Sequence, residues 1–327
     1  MFKELSRRIV LITLLSVSVF TVGTGIFSYQ WAKRTITGEF VEISSNYFQS
    51  SNDLLEQYLN YIGETAKMIA NNPNLAAAVQ SSDRTVAVPR LLDSFAYGMN
   101  LDIMGVALYT ADGMIYSLSK ISNVPPMEEL AKDPRIRAFL NDPDQTSLWH
   151  SRYRNLSSFY NYQYSKEGTF SFLLKWAASD GSPPGTLVID LDINKLFSFF
   201  VSSNAMFRDN GLFLVRDGTD LVVSSSNPEP DGLNSGILRK ISSGTEGSFL
   251  LQDREQLYLY STVMDSNVKV ILAIPFRNSL ASLPALRWSI TLLALLSCLL
   301  AVVLAFMVKS SIIRPLTRLY TRMKAFK

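Results

Sequence analysis

One cysteine and one histidine are all that this chain of 327 residues contains of either type. A lone Cys298 has nothing to pair with inside the chain, so no disulfide framework holds it and any folded part rests on its apolar core. That economy suggests a bacterial surface with little reliance on oxidative folding. A lone His150 has no second His or Cys to complete a zinc site, and it excludes the Cys/His and Ser/His nucleophile arrangements. The glycines form no phosphate-cradling loop. The reading is therefore no metal, no cofactor and no enzymatic activity.

Charge is missing from two long stretches. "IVLITLLSVSVFTVGTGIFSYQW" (9–31) and "WSITLLALLSCLLAVVLAFMV" (288–308) contain no Asp, Glu, Lys or Arg. Each is near the ~20 residues that cross a bilayer as a helix. The first is too long for the apolar part of a signal peptide and has no clear small-x-small cleavage site after it, so it reads as a retained anchor. Acids are also absent from the tail after the second run, which carries Lys309, Arg314, Arg318, Arg322, Lys324 and Lys327. With Lys3, Arg7 and Arg8 before the first run, the cations put both termini in the cytoplasm and 32–287 outside. The expected divisions are a cytoplasmic N-terminus (1–8), a span (9–31), an exterior domain (32–287), a second span (288–308) and a cytoplasmic segment (309–327). Nine of the 31 cations and one of the 28 acids lie outside 32–287, which leaves 22 against 27 there. The overall +3 is a topology signal, and a nucleic-acid partner is excluded.

Within 32–287 the first feature is a helical stretch, 32–70, about 58 Å long at ~1.5 Å per residue. Phe40, Tyr47, Leu54, Tyr61 and Met68 recur every seven residues, a stripe read partly as packing on its own domain and partly as a dimer seam. "NNPN" at Asn71–Asn74 ends it. Two regions then share a pattern. "MGVALYTADGMIYSLS" and "NGLFLVRDGTDLVVSSS" are β-rich runs joined by an Asp-Gly turn, a strong hairpin signal. Each is followed by a connection, further strands ("TFSFLLKWAAS", "GTLVIDLDI"; "GSFLLQ", "LYLYSTVM", "VKVILAIP") and a helix-like exit. The unit occurs twice as pattern, with the break near Ser202–Asn210. The fold class is α+β: two stacked antiparallel-sheet subdomains, membrane-distal 71–203 and membrane-proximal 204–287, on a long N-terminal helix.

In that order the pieces resemble a double-Cache sensor, with two PAS-like sheets and a final strand, "NVKVILAIPFRNSL", just before the second span. In the tail, Ile312, Leu316, Leu319, Met323 and Phe326 are spaced as a coiled-coil seam. "IIRPLTRLYTRMKAF" resembles the first helix of a HAMP domain, with anionic lipid headgroups as the alternative target of its cations. The whole resembles the input half of Gram-positive two-component sensor histidine kinases. Membrane-bound transcription regulators and chemoreceptors have similar halves. A rival of another class is a two-span binding or scaffold module without output. The sequence contains no phosphoacceptor histidine region, nucleotide box or helix-turn-helix.

The resemblance implies a homodimer, a ligand pocket in the distal sheet, and a small solute (sugar or amino acid) or a solute-binding protein as partner. The aromatic and cationic stretch "SLWHSRYRNLSSFYNYQY" (Ser147–Tyr164) and the later "LVIDLDI" supply the candidates: Trp149, Arg152, Tyr153, Tyr162, Tyr164 and Asp190. Trp149, Tyr164 and Asp190 fit roughly the run seen in amino-acid-binding members. Ser147 stands where those carry arginine, so a carboxylate clamp is missing or moved to Arg152. That opens the site equally to sugars. Beside this, Trp149 reads as core filler and Asp190 as a cap for a helix beginning near Ile193.

Overall fold

The computed structural model describes residues 2–98, 103–119, 121, 123–152, 168–176, 185–201, 211–218, 220–224, 233, 235–251, 256–276, 283–308, 310–311 and 315. They fall into two compact units, 44–275 and the pair of segments 1–43 and 276–327. Helix α1 (Phe2–Ala70) runs through both and ends at the predicted Asn-Asn-Pro-Asn break.

In the larger unit, α2 (Pro73–Gln80) starts at once, because Asn72 accepts the Asn74 N–H and Pro73 takes a first-turn position where no N–H is needed. Helix α3 (Arg84–Gly98) follows, and then β1 (Ile103–Tyr109) and β2 (Ile115–Ser117) form the first hairpin. Its turn is the Asp112–Gly113 pair, with Gly113 at φ +81°, where a side chain would strain the backbone. Two short helices, α4 (Met127–Leu130) and α5 (Pro134–Asn141), lead to β3 (Ser147–Arg152), β4 (Thr169–Trp176), β5 (Gly185–Asp192) and α6 (Ile193–Val201). The second pass gives β6 (Gly211–Arg216), β7 (Asp220–Ser224), α7 (Ser235–Ser242), β8 (Glu246–Leu251), β9 (Gln256–Thr262) and β10 (Val268–Pro275).

The duplication read from pattern is visible in the strand orders, β2-β1-β5-β4-β3 and β7-β6-β10-β9-β8, both antiparallel. The first strand of each hairpin pairs with the last strand of its own set, while the second hairpin strand, β2 or β7, forms one edge. Ser147–Arg152, which the sequence pattern assigns to the connection after the first hairpin, is instead the edge strand of the first sheet, paired with β4 in register Trp149↔Phe172 and His150↔Ser171.

The inner strands of each sheet are buried on both faces. In the first, Ala107, Tyr109, Leu173 and Val188 pack with Leu130, Ile136 and Phe139 from α4 and α5. The other face carries Phe170 and Phe172; a Cβ on Gly63 of α1 would lie 3.6 Å from Phe172, so α1 covers this side. In the second sheet, Phe213, Val215, Tyr258 and Ile271 pack with Ile237 and Ile241 of α7. Of the heptad stripe of α1, Phe40 is buried while Tyr47, Leu54, Tyr61 and Met68 are exposed; beside the stripe, Phe48, Leu55, Leu59, Ile62 and Ile69 are buried.

In the smaller unit, the first part of α1 lies beside α8 (Leu283–Val308). Small and hydroxylated residues face each other there. Ser18 Oγ is 3.4 Å from Cys298 Sγ, Ser297 donates to Thr21 Oγ1 at 3.3 Å, and a Cβ on Gly25 would meet Ile290 at 2.8 Å. Such residues let helix backbones approach closely without an apolar driving force between them. Among the described residues one helix is long and apolar enough to cross a membrane, at Arg287–Leu304 with mean hydropathy 2.1. The first apolar run lies within α1, but the side chains at 9, 10, 13 and 14 are outside the described residues, as are Ile312, Leu316, Leu319, Met323 and Phe326 of the tail.

Candidate functional site

Strand alternation decides which residues of the first sheet can share a site. Because successive side chains point to opposite faces, Leu148, Leu173 and Val188 fix one face, and His150, Ser171 and Asp190, two positions on, lie on that same face. Their register is direct: His150 opposite Ser171, Ser171 opposite Asp190, Asp190 opposite Gly105. The result is a row of polar side chains across the α4/α5 face, next to an apolar row. All are buried: Thr169 and Ser171 at 0% exposure, Asp190 at 1% and His150 at 2%.

Buried polar groups are costly unless hydrogen-bonded, and most in this row are paired. Ser171 Oγ donates to Asp190 Oδ1 at 2.5 Å and lies 3.1 Å from Thr169 Oγ1. His150 Nε2 is 2.9 Å from Asp133 Oδ2. Asp133 is itself built into the start of α5: its Oδ1 accepts from the N–H groups of Arg135 and Ile136, and Pro134 occupies the first helical position. Burial pushes the Asp133 carboxyl upward, but the hydrogen bond and charge of His150, together with those two N–H groups, outweigh it and leave the carboxyl below its ordinary range. His150 Nδ1 is buried and has no hydrogen-bond partner among the described residues.

The row sits where the chain leaves β3 and returns in β4. Of the predicted site, Tyr153, Tyr162 and Tyr164 lie in the β3–β4 connection, outside the described residues. Arg152 closes β3 opposite Thr169, with its side chain outside them too. Asp190 is in the row. Trp149 is not: it faces α1, stacked on Phe170 at 5.1 Å and tilted against Phe172 at 4.7 Å between ring centres. The two candidates expected to share a pocket are therefore on opposite faces, and the reading of Trp149 as core filler describes its packing. The cap for α6 is also corrected, because Asp192 rather than Asp190 accepts the Asn194 N–H, at 2.9 Å.

Sequence reasoning passed over His150, Ser171, Thr169 and Asp133. The signals were present in the alternation of "SLWHSR" against "TFSF", and in Asp-Pro, which marks a helix start. A recess of about 430 Å³ lies at the opposite end of the sheet between the α2–α3 turn and the first hairpin. Arg84 and Asp112 pair across it at 2.7 Å and Trp176 forms part of its wall.

Residues 40–124 match the family model dCache_3, described as a double sensory domain of two-component sensor kinase. No curated protein matches the chain significantly. Among solved structures, the sensory domain of the Campylobacter jejuni chemoreceptor Tlp3, with isoleucine bound, is 14% identical with a TM-score of 0.53, covering 76% of this chain and 98% of that one. The ligand-binding domain of the Pseudomonas fluorescens chemoreceptor CtaA, in complex with L-isoleucine, is likewise 14% identical with a TM-score of 0.52, covering 76% and 98%. The extracellular domain of vpHK1S-Z8, described as a histidine kinase, is 12% identical with a TM-score of 0.53, covering 75% and 95%. The chain thus resembles double-Cache sensory domains in sequence over 40–124 and in fold over about three quarters of its length.

Proposed function

We propose that this chain is the sensing half of a membrane receptor and that its first sheet binds a small amine-bearing solute, an amino acid before a sugar. The observation that carries the reading is the buried row of Asp190, Ser171, Thr169 and His150 on one sheet face. A carboxylate at 1% exposure suits an ammonium group, and hydroxyls and imidazole beside it suit the polar end of such a molecule. The isoleucine bound by two fold relatives favours the same class. The Arg152 side chain and the tyrosines of 153–167 are the candidates for the carboxylate end.

In this reading both apolar helices cross the membrane. Both expose large apolar residues: Leu15, Val19, Phe20 and Phe27 on α1, and Leu292, Leu296, Leu299 and Phe306 on α8. The cations before and after them keep both ends cytoplasmic, with 32–287 outside. A homodimer transmits the signal, and Ile312, Leu316, Leu319, Met323 and Phe326 begin the HAMP-type relay toward an output such as a histidine kinase. Ligand must favour one of two arrangements to move anything, since equal affinity for both shifts nothing.

The test is thermal unfolding and calorimetric titration of the full chain in lipid nanodiscs, with L-isoleucine, the other amino acids and maltose as probes. The expected result is stabilisation by at least one amino acid that D190N removes. Stabilisation by maltose alone, or an amino-acid response that D190N leaves intact, would sink this reading.

A further inference from the structure

Among the described residues strand β3 is an edge of the first sheet, so its outward N–H groups need partners from elsewhere. The Ser151 N–H finds one in the second sheet: it donates to Asn267 Oδ1 at 3.1 Å, in a buried contact. Asn267 ends the β9–β10 turn and is 7% exposed. It is tied a second time, because the Asp217 N–H donates to the Asn267 carbonyl at 2.9 Å. Asn267 Nδ2 reaches Asp217 Oδ2 at 3.5 Å, the outer limit of a hydrogen bond. A third strand of the corner comes from α5, where an Arg135 guanidinium nitrogen lies 3.9 Å from Asp217 Oδ1. The turns that present these groups hold non-glycine residues in the left-handed region: Asp217 at φ 50°, Met264 at 49° and Asp265 at 52°. Such conformations cost energy and persist where surroundings demand them.

Both connections leave the first subdomain beside the polar row. Ser151 follows His150 in β3, and Arg135 is two residues from Asp133, which holds His150. On the other side, Asn267 immediately precedes β10, the central strand of the second sheet, and β10 leads in sequence to Phe276 and then to α8.

We propose that Asn267 is the positioning residue that couples the His150–Asp133 pair of the distal sheet to strand β10. A shift of β3 or of the start of α5 alters the Ser151 and Asp217 contacts of one side chain, and that side chain sets where β10 begins. This rests on the sensor reading, in which the row is the ligand face, but its test needs no ligand.

The measurement is amide hydrogen exchange of residues 268–275 in the full chain in nanodiscs. D133N perturbs the pair at the row while keeping a side chain that caps α5 as well as Asp does. In the native background D133N should raise exchange of 268–275 by about two- to threefold, the low end for residues sharing a hydrogen-bond network. In an N267A background it should add almost nothing. An equal D133N effect in both backgrounds, or none in the native one, overturns the proposal. Should N267A fail to fold, a swap replaces it: N267D alone sets two carboxylates against each other and should abolish the coupling, and N267D with D217N should restore it. Failure of the swap to restore it also overturns the proposal. Because no solute is added, a negative result here leaves the solute titration standing, and a failed titration leaves this coupling standing.

Discussion

Trp149 and Asp190 stand on opposite faces of one sheet, because Trp149 pairs with Phe172 while Asp190 pairs with Ser171, the neighbouring residue of the same strand. The consequence is a separation of roles. Removing the Trp149 ring by W149A empties a space between Phe170, Phe172 and α1, and the expected cost is about 3–5 kcal/mol. W149F keeps most of the ring contacts and should cost about 1 kcal/mol while leaving the solute response unchanged. Denaturant unfolding with and without solute checks both. A folded W149F that no longer responds would return Trp149 to the ligand pocket.

The fold was largely legible in the sequence, and the site only half so. Asp-Gly turns between β-rich runs located both hairpins, since Gly113 and Gly218 take positive φ there, and local alternation marked the strands. The pairing of those strands is another matter. Whether Trp149 or His150 shares a face with Asp190 depends on the register between β3, β4 and β5, and residues 153–167 and 177–184 separate these strands. A one-residue slip across either connection reverses every face. Local pattern cannot fix that register, so the reading chose the larger aromatic at 149 and set the histidine beside it aside for want of a second metal ligand. The true partner of His150 is Asp133, a helix cap, whose role reads locally as capping alone.

Asp133 also gives the fold an acid-sensitive contact. Its carboxyl is held below the ordinary value near ~3.9, so its contribution to stability is fully present above that value and is lost as pH falls through the lower folded value. Thermal melts from neutral pH downward should show the native chain losing stability below about pH 4 more steeply than D133N, which has no carboxyl to titrate. D133A, which lacks the cap as well, should cost about 1–2 kcal/mol at neutral pH. Parallel acid profiles for the native chain and D133N would show that the His150 contact does not hold this carboxyl.

The last carbonyl of α1 takes its donor from a side chain of the first sheet. Trp176 Nε1–H gives a 2.6 Å hydrogen bond to the Ala70 carbonyl, one of the last four of the helix, which have no partner inside it. W176F keeps the ring but leaves that carbonyl unpaired in a buried place, at an expected cost of about 1–3 kcal/mol. Gly185, opposite Trp176, has no room for a methyl group, because a Cβ would lie 2.6 Å from the Tyr109 carbonyl and 3.0 Å from the Trp176 ring. G185A should therefore destabilise by about 1–3 kcal/mol through overpacking. Denaturation midpoints measure both, and a neutral G185A would mean that β1 and β5 separate easily at this end.

The exposed half of the α1 stripe bears on dimerisation. Tyr47, Leu54, Tyr61 and Met68 are 47–60% exposed and repeat every seven residues, the period that keeps one line of a helix against a parallel partner. The buried residues Phe48, Leu55, Ile62 and Ile69 lie one position after each, about 100° round the helix, so the stripe borders the core face without being consumed by it. Asn46, Asn60 and Lys67, one position before the stripe, are polar and exposed. If two copies meet along this line, single cysteines at 47, 54, 61 and 68 in a C298S background should cross-link readily in native membranes. Cysteines at 46, 60 and 67 should cross-link poorly. Equal yields at both sets, or none at either, would remove α1 from the dimer contact and leave the stripe as an exposed border of the core.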